Sequence, residues 1–526
     1  MENRPIRWWP AGMIGGMALG ALLVVWLWPD ASQQERTMRT GGTLLITGAL
    51  LAIWWIAFSR TRWRMRMGVA AMAMIGVATL AATFRIRGVD GDLVPILEPR
   101  WRAKPQIRSE ISRVDVSADS AETKSGRFET DFPQFYGPNR NAVLDEPKLE
   151  TSWSEHPPKL LWRQSIGSGW GGFAVKDGFA VTQEQRGEEE VVACYELLTG
   201  RTVWVHTDAA RYATTIAGEG PRATPTIATI VDDRVYTFGG TGILNCLDRR
   251  SGKLIWRKDT AKENDAKVPD WGYASSPLVI EGKVVVSVGG SKGSLAAYDA
   301  NDGKFLWAEG HGGADYSSPV EATLCGERQI LIFNGSGVNG HALDGKVLWN
   351  HPWRGGHPHV TAPLVISSNQ ILISSGYGTG AELVKVEVDA EKKWAAEREW
   401  KSMGLKSKFG PIFVKDGYIY GFDDGIFTCV ELKTGERKWK EGRYGHGQGL
   451  LVAGIILLTS EKGEVVLIKP DPEKLVEIER FAVFSDKTWN PPALVGEYLL
   501  MRNDKEAACL QLRIQDARNV SLSVAK

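Results

Sequence analysis

Histidine and cysteine are the residues in this sequence whose spacing could indicate metal chemistry. His351, His357 and His359 fall within nine residues, and a His-x-His pair can bind Zn²⁺ or Cu²⁺. Pro358 fixes the backbone between the last two, and no acidic residue or cysteine is close in sequence. We therefore weigh a weak metal site at His357 and His359 against a polar loop between repeats, and we favour the loop.

The five cysteines share a register and form no metal-binding motif. Cys194, Cys246 and Cys429 each stand six residues before a glycine, and Cys509 is expected at the same strand position. Equal positions in separate repeats predict separate buried sites, where a thiol packs as a small apolar group. Bridged Cα atoms lie within about 7 Å, so disulfides between these cysteines are not expected. Cys325 is isolated.

A third set of reactive or binding side chains recurs once per repeat, just before a buried strand. The set comprises Trp170, Arg222, Tyr273, Tyr316, His359, Lys408, His446 and Trp489. If the strands that follow surround a central axis, these side chains meet at one mouth of a channel. A concave aromatic and basic surface suits an anionic small molecule or an extended peptide. The alternative is a set of close-packed turns in which small residues and proline fit a narrow axis.

The elements that position these residues are repeats, each marked by a large aromatic residue on an apolar strand. Successive markers are 42, 52, 51, 42, 51, 39 and 42 residues apart, a period typical of a β-propeller. Each repeat also contains a hairpin and a turn glycine that is expected to need φ > 0, which gives four antiparallel strands per blade. The markers are Trp162, Trp204, Trp256, Trp307, Trp349, Trp400, Trp439 and the degenerate Phe481.

The two ends of the repeat region complete each other. The strand ending at Trp162 has no hairpin before it, and the hairpin at 494–501 has no tryptophan strand after it. An N-terminal strand that joins the last blade would close the ring and remove exposed sheet edges. The sequence therefore predicts an all-β propeller of eight blades, with seven as the alternative if the repeat ending near Trp400 or Phe481 is not a blade.

The N-terminal part predicts three transmembrane helices, at about 8–28, 41–58 and 67–84. Each run is long enough to cross a bilayer core of about 30 Å, and a cleaved signal peptide would explain only the first. By the positive-inside rule, the basic residues place the N-terminus in the cytoplasm and the propeller in the periplasm of a bacterium with two membranes. These residues are Arg4, Arg7, Arg60, Arg62, Arg64 and Arg66.

The predicted organisation has four parts. Residues 1–87 form a membrane domain, 88–130 a flexible tether rich in charge and proline, 131–515 the propeller and 516–526 a C-terminal tail. The formal net charge of +1 gives no reason to expect nucleic acid as a partner.

The repeats resemble a known family. Cys246-Leu-Asp-Arg-Arg-Ser-Gly-Lys-Leu-Ile-Trp256 and Tyr298-Asp-Ala-Asn-Asp-Gly-Lys-Phe-Leu-Trp307 are similar to the pyrroloquinoline-quinone-like (PQQ-like) propeller repeat, Val-Tyr-Ala-Leu-Asp-x-x-Thr-Gly-Lys-x-x-Trp. The resemblance covers roughly residues 131–512 and implies one of two branches. One is the non-catalytic branch typified by BamB, the outer-membrane assembly lipoprotein. The other contains quinoprotein dehydrogenases, which need PQQ, Ca²⁺ and a catalytic aspartate.

Three features favour the non-catalytic branch. The sequence lacks the adjacent Cys-Cys pair of many quinoproteins, the calcium-binding Glu, Asn and Asp cannot be placed on matching positions, and the propeller is short. We therefore expect an inner-membrane protein whose periplasmic propeller binds or scaffolds envelope proteins or peptides, with no catalytic residue and no cofactor. The alternative is a membrane-bound PQQ-dependent alcohol or sugar dehydrogenase that passes electrons to quinone, because membrane-bound glucose dehydrogenases also lack the cysteine pair and carry several spans.

Overall fold

A computed structural model describes residues 6–28, 32–101, 130–214, 218–228, 233–353, 355 and 358–515. The chain divides into an N-terminal unit and a propeller unit. The predicted C-terminal tail, 516–526, and most of the predicted tether, 102–129, lie outside the described residues.

The N-terminal unit contains three helices long and apolar enough to cross a membrane. They are α1 at Trp9–Leu27, α2 at Gln33–Ile53 continued by a π-helical turn at Trp54–Phe58, and α3 at Trp63–Thr83. Helix α2 begins before the apolar run does, because Ser32 and Glu35 form a capping box that satisfies its first N–H groups.

The residues after α3 form a β-hairpin, where the sequence predicted the start of a flexible tether. Strand β1, Phe84–Val89, pairs in antiparallel fashion with β2, Pro95–Pro99. Arg85 Nη2 lies 2.7 Å from Glu98 Oε2 across the strands, and the Asp90 carboxylate accepts two backbone N–H bonds in the turn. Local side-chain bonds of this kind order a short polar segment that has no apolar periodicity.

The propeller unit consists of eight blades in the part of the chain that the structure describes, which confirms the predicted fold. Each blade contains four antiparallel strands, ordered outward from the axis. The sheet of blade 7 has a fifth strand, Val143–Leu144, which is parallel to its first. Blade 1 comprises Ala174–Lys176, Phe179–Arg186, Glu189–Glu196 and Thr202–Asp208; blade 2 comprises Thr226–Ala228, Arg234–Phe238, Ile243–Asp248 and Leu254–Asp259; blade 3 comprises Leu278–Ile280, Lys283–Gly290, Gly293–Asp299 and Phe305–Glu309; blade 4 comprises Val320–Leu324, Glu327–Asn334, Gly337–His341 and Val347–His351; blade 5 comprises Leu364–Ser367, Gln370–Ser375, Gly380–Val388 and Trp394–Ser402; blade 6 comprises Phe413–Lys415, Tyr418–Asp423, Ile426–Glu431 and Arg437–Arg443; blade 7 comprises Gln448–Val452, Ile455–Thr459, Glu464–Lys469 and Val476–Ala482; blade 8 comprises Ala493–Val495, Tyr498–Arg502, Glu506–Gln511 and the N-terminal strand Lys159–Ser165. Short strands at Ala213–Thr214 and Gly218–Glu219 and helix α4, Thr260–Glu263, lie in the connections between blades.

The ring closes as the sequence predicted. Lys159–Ser165 pairs with Glu506–Gln511 to complete blade 8, and the first strand of blade 8 contacts the first strand of blade 1. The buried guanidinium of Arg502 adds a second link, because it donates to Thr182 Oγ1 and to the carbonyls of Gln183 and Gly167 in blade 1. Closure therefore joins residues more than 300 positions apart in the chain.

Five of the marker tryptophans pack against the turn glycine of the next blade. Gly252 has φ +68°, and a Cβ atom added to it would lie 2.4 Å from the Trp204 indole. The Trp204 Nε1–H group donates to the Arg249 carbonyl of the same turn at 2.8 Å. The same packing joins Trp162 to Gly200, Trp256 to Gly303, Trp307 to Gly345 and Trp400 to Gly435. Two features require glycine at each of these positions: the positive φ of the backbone and the indole ring that covers the Cα atom.

Blade 7 lacks this arrangement, and Phe481 is not its marker. In the other blades the tryptophan directly follows a β-bulge. In blade 7 that position is Glu479, opposite Leu467, whereas Phe481 lies opposite Val465. The next blade ends with the N-terminal strand and has no turn glycine for an indole to cover. Glu479 instead accepts a bond from the Ser154 backbone N–H at 3.2 Å.

The cysteine register is confirmed. Cys194, Cys246, Cys429 and Cys509 each lie opposite the tryptophan of their blade and are fully buried, and all five cysteines are free thiols. Burial raises the pKa of the Cys246 thiol to about 11, so it stays protonated and unreactive at neutral pH.

Candidate functional site

The segments that carry the predicted site residues lie at one face of the propeller, here called the mouth face. In each blade a lead-in segment precedes the first strand, and alternating strand directions bring the hairpin between strands two and three to the same face. The first hairpins and the turn glycines lie on the opposite face. The mouth face therefore collects side chains from both the lead-in segments and the second hairpins.

Aromatic side chains from separate blades meet at this mouth. The ring centroids of Trp170 and Trp489 are 5.2 Å apart, and those of Phe409 and Trp489 are 5.1 Å apart. Phe409 also lies edge-on to His446 at 5.8 Å. Because Phe409 leads into blade 6 and Trp489 into blade 8, their contact passes over blade 7 and lies close to the axis.

A second aromatic group occupies the other side of the mouth. Trp271 stacks on Tyr316 at 5.0 Å between centroids, and the Tyr316 hydroxyl accepts the Trp271 backbone N–H at 3.2 Å. Trp271 also lies 6.4 Å from Tyr377, which belongs to the second hairpin of blade 5. The Arg222 guanidinium lies over Tyr212 at 5.4 Å.

Three cationic side chains lie on these aromatic faces. Lys487 Nζ is 4.0 Å from the Trp489 centroid and 4.5 Å from that of Trp170. Lys408 Nζ is 4.9 Å from the Tyr377 centroid. Burial lowers the pKa of the Arg222 guanidinium to about 10, which still leaves it charged at neutral pH. Cations over aromatic faces are attracted by the ring quadrupole, so the mouth holds positive charge in fixed positions.

The predicted residues differ in how they reach this surface. Arg222, Tyr316 and Trp489 are partly exposed, while Trp170, Lys408 and His446 are buried. Tyr273 does not line the mouth: it is fully buried, its ring contacts Phe238, and its hydroxyl donates to the Val288 carbonyl at 3.0 Å. Tyr273 is buried because its side chain enters the wall between blades 2 and 3. Trp271, two residues earlier, faces the mouth instead.

His359 is also held inside the wall. Its Nδ1 bonds to Asp315 Oδ2, and its ring packs 4.3 Å from Phe333. His357, its predicted partner in a metal site, lies outside the described residues. His351 bonds to Glu382 at 2.9 Å. Over the ranges that the structure describes, groups of three or more His, Cys, Asp or Glu side chains do not gather as metal ligands.

Five mouth residues were not predicted from the sequence. Trp271, Lys487 and Phe409 lie within two residues of predicted ones, so the signal was present in the lead-in segments. Tyr377 stands between two glycines of a hairpin, and that hairpin carries an aromatic residue where turn residues are usually small and polar. Tyr212 precedes blade 2 in an irregular connection that has no periodic signal.

The floor of the mouth is formed by the protein's own chain. Phe132 bridges to Val175 in blade 1, and Val143–Leu144 runs parallel to the first strand of blade 7. We call residues 131–144 the plug. The Tyr136 hydroxyl donates to Gln448 Oε1 at 2.7 Å. The plug therefore crosses between the inner strands of blades 1 and 7 beneath the mouth, and we call the mouth with this floor the bowl.

Arg140 anchors the plug. Its guanidinium is buried and donates to the carbonyls of Ser276, Pro277 and Pro319 at 2.9 to 3.1 Å. Burial lowers its pKa to about 9. The lead-in segments of blades 3 and 4 are thus tied to the plug beneath the mouth.

Comparison with known proteins gives the same fold and two kinds of relative. Residues 188–441 match the family model described as outer membrane protein assembly factor BamB. The resemblance to the PQQ-like repeat family is confirmed. BamB of Shewanella oneidensis is 23% identical over 282 residues, which cover 51% of this chain and 69% of that protein.

The second kind of relative is catalytic. The quinohemoprotein alcohol dehydrogenase ADH IIB of Pseudomonas putida is 37% identical over 79 residues, which cover 14% of this chain and only 11% of the dehydrogenase. A europium-containing methanol dehydrogenase superposes with a TM-score of 0.53 and 12% identity, covering 75% of this chain and 99% of that chain. At that identity the superposition shows the fold alone.

Proposed function

We propose that this protein is a membrane-anchored propeller whose mouth binds acidic peptide segments without catalysing a reaction. The observation that supports this is the bowl itself, in which Arg222, Lys408 and Lys487 lie on aromatic faces contributed by separate blades. Charge-assisted hydrogen bonds to carboxylates are about twice as strong as neutral ones, and the aromatic rings add apolar contact area.

The floor restricts how such a peptide would enter. Because the plug crosses between the inner strands of blades 1 and 7 beneath the mouth, we do not expect a chain to thread through the propeller. The expected ligand is therefore a loop or a chain end that inserts from the mouth face. Recognition of one segment on a partner protein is what a scaffolding module requires.

We also propose that the propeller lies in the periplasm and the helices in the inner membrane. Three apolar helices precede the propeller, and four arginines lie within residues 60–66, between α2 and the start of α3. A C-terminal alkaline phosphatase fusion is expected to be active in cells and a C-terminal green fluorescent protein fusion to be dark. The reverse pattern would place the propeller in the cytoplasm.

The alternative is a PQQ-dependent dehydrogenase, which the match to alcohol dehydrogenase ADH IIB favours. The mouth residues fit that cofactor poorly. Lys487 already covers the faces of both Trp170 and Trp489, where a planar quinone would need to stack. The carboxylates of Asp315 and Glu461 are engaged with His359 and Trp489.

One pair of titrations separates the two functions. The detergent-purified full chain would be titrated with fluorescein-labelled hexaglutamate, followed by anisotropy, and separately with PQQ and Ca²⁺, followed by absorbance and a dye-linked alcohol and glucose assay. We expect saturable, salt-sensitive peptide binding and no turnover. Saturable PQQ uptake with turnover would establish the dehydrogenase, and failure to bind the peptide would refute the binding proposal.

A further inference from the structure

The outer edge of the propeller differs between two groups of neighbouring blades. In each outer strand the two residues before the tryptophan, or before Glu479 in blade 7, lie at a β-bulge, and we call them the bulge pair. Because a bulge sets two residues opposite one partner, both members of a pair can be exposed. In blades 8, 1, 2, 3 and 4, here called the apolar sector, the pairs are Leu160-Leu161, Thr202-Val203, Leu254-Ile255, Phe305-Leu306 and Val347-Leu348. In blades 5, 6 and 7 they are Arg398-Glu399, Arg437-Lys438 and Glu477-Ile478.

The bulge pairs of the apolar sector contribute large apolar side chains to the surface. Leu160, Leu254, Ile255, Phe305 and Leu306 are 39% to 49% exposed. Single exposed apolar residues are ordinary on a protein surface, whereas a set that recurs on adjacent blades marks an interaction surface. The pairs of blades 5 and 6 are exposed as well, but they are charged, so the apolar surface is confined to its sector.

An exposed basic residue stands directly before each pair of the apolar sector. These residues are Lys159, Arg201, Lys253, Lys304 and Lys346. The same position holds Glu397 in blade 5 and Glu436 in blade 6. The apolar sector therefore repeats a basic residue followed by the bulge pair five times, and blades 5 and 6 carry an acidic residue in its place.

The carboxylates of the same turns are held by their own backbone. Asp302 accepts the Lys304 backbone N–H at 2.8 Å, and Asp344 accepts that of Lys346 at 3.1 Å. Of the basic residues, Arg201 pairs with Glu196 at 3.4 Å. Lysine stems are long enough to carry their ammonium groups beyond the turns, so the outermost charge of these turns is positive.

The breadth of this surface indicates what covers it. A single peptide strand would cover one repeat, whereas the pattern extends over five of the eight blades. The chain also carries three helices able to cross a membrane, and residues 102–129 join these helices to the propeller. A chain of that length spans at most about 100 Å, so a bilayer is always within reach. Its interface accepts leucine, isoleucine and phenylalanine side chains, and anionic headgroups attract lysine and arginine.

We propose that the bulge pairs of the apolar sector, with the basic residues before them, form a surface that docks on an anionic lipid bilayer. The apolar side chains enter the headgroup boundary, and the basic side chains contact lipid phosphates. Docking through one sector fixes which edge of the propeller faces the membrane. The proposal is independent of peptide binding at the mouth.

The test uses the full chain in lipid nanodiscs, with Cys325→Ser so that the remaining native thiols are the four buried ones. A bimane label is placed by Leu254→Cys in one variant and by Arg437→Cys in another, because these two residues occupy the same strand position in blades 2 and 6. Nanodiscs of phosphatidylcholine and phosphatidylglycerol are made with ordinary or brominated acyl chains, which quench bimane on contact. We expect brominated lipid to remove roughly half or more of the fluorescence at the blade 2 label and to leave the blade 6 label unchanged.

Charge reversal tests the basic residues. With the label in blade 2, Lys253→Glu/Lys304→Glu is expected to reduce the quenching about twofold or more, because anionic headgroups repel the reversed charges. The matched control, Lys433→Glu/Lys438→Glu on blade 6, makes the same change of charge and should leave the quenching as it is.

Three results would overturn the proposal. Absence of quenching at the blade 2 label would do so and would leave a protein partner as the occupant of this surface. Equal quenching at both labels would mean that lipid does not distinguish the apolar sector from blade 6. Quenching that Lys253→Glu/Lys304→Glu does not change would mean that the basic residues do not contact the bilayer.

Discussion

At the residue scale, glycine and tryptophan together determine how neighbouring blades join. Alanine at Gly252 would meet two separate costs: a backbone at φ +68° and a Cβ atom 2.4 Å from Trp204. Gly282 has φ +71° with nothing within 4 Å of an added Cβ, so it shares only the first cost.

We therefore predict that Gly252→Ala destabilises the protein more than Gly282→Ala. The positive φ costs about 1–2 kcal/mol in both variants, and overpacking against the indole adds about 1–3 kcal/mol in Gly252→Ala. Denaturant unfolding of both variants measures the difference. Equal loss of stability would show that the glycine and the indole are not in contact.

Glu190, which is 6% exposed and lies opposite Asp208 in blade 1, predicts a pH dependence of stability. Its folded pKa of about 7 lies above its ordinary value of 4.5, so the folded protein binds the proton more tightly and this stabilisation is lost as pH rises from about 4.5 to 7. The shift corresponds to about 3 kcal/mol. Asp208, His206, Arg222 and Arg257 are the other charged or titratable groups nearby.

The measurement compares wild type with Glu190→Gln at pH 5 and pH 8. The wild type should lose about 3 kcal/mol more than the variant over this range, because glutamine stays neutral throughout. Parallel pH profiles for the two proteins would mean that Glu190 has an ordinary pKa and faces solvent.

Some of this residue-scale detail could be predicted from the sequence. The cysteine register and the positive φ of the turn glycines followed from the repeat, because equivalent positions have equivalent surroundings. Tyr273 and Trp271 show the limit. They are two residues apart in an irregular lead-in segment, and only the tertiary packing determines which of them faces the mouth.

At the element scale, the plug is the feature that the sequence did not predict. Residues 131–144 have no periodicity, and their partners are blade strands up to about 300 residues away. The blades themselves were predictable, because four strands and a turn recur with a regular period. Blade 7 was the exception, because its marker position depends on a neighbour that closes with a distant strand.

The plug predicts a large effect for Arg140→Met. The substitution leaves the carbonyls of Ser276, Pro277 and Pro319 buried without their donor, and each lost partner costs about 1–3 kcal/mol. We expect a loss of at least about 3 kcal/mol in denaturant unfolding. The control is Arg163→Met, because Arg163 is 41% exposed and its ion pair with Glu506 should contribute less than about 1 kcal/mol.

Similar losses in the two variants would contradict this account of the plug. They would mean that the carbonyls beneath the mouth find other donors when Arg140 is removed. The floor of the bowl would then not depend on the plug being held by that guanidinium.

At the scale of the whole molecule, the mouth exists only because the ring closes. Its cations come from lead-in segments of blades 2, 6 and 8, which the closed ring brings around one axis. The central claim is that these cations form one binding site. Variants at the mouth should therefore differ from variants of lysines elsewhere on the same propeller.

The most direct measurement compares the affinities of two double variants for labelled hexaglutamate. The mouth variant is Lys408→Gln/Lys487→Gln, and the control is Lys415→Gln/Lys438→Gln. Lys415 ends the first strand of blade 6 near the opposite face, and Lys438 lies on the exposed outer strand of that blade. Each double variant replaces two lysines, and therefore both remove the same net charge. We predict at least tenfold weaker binding and a smaller salt dependence for the mouth variant, and near wild-type binding for the control. Equal affinities for the two variants would contradict a binding site at the mouth.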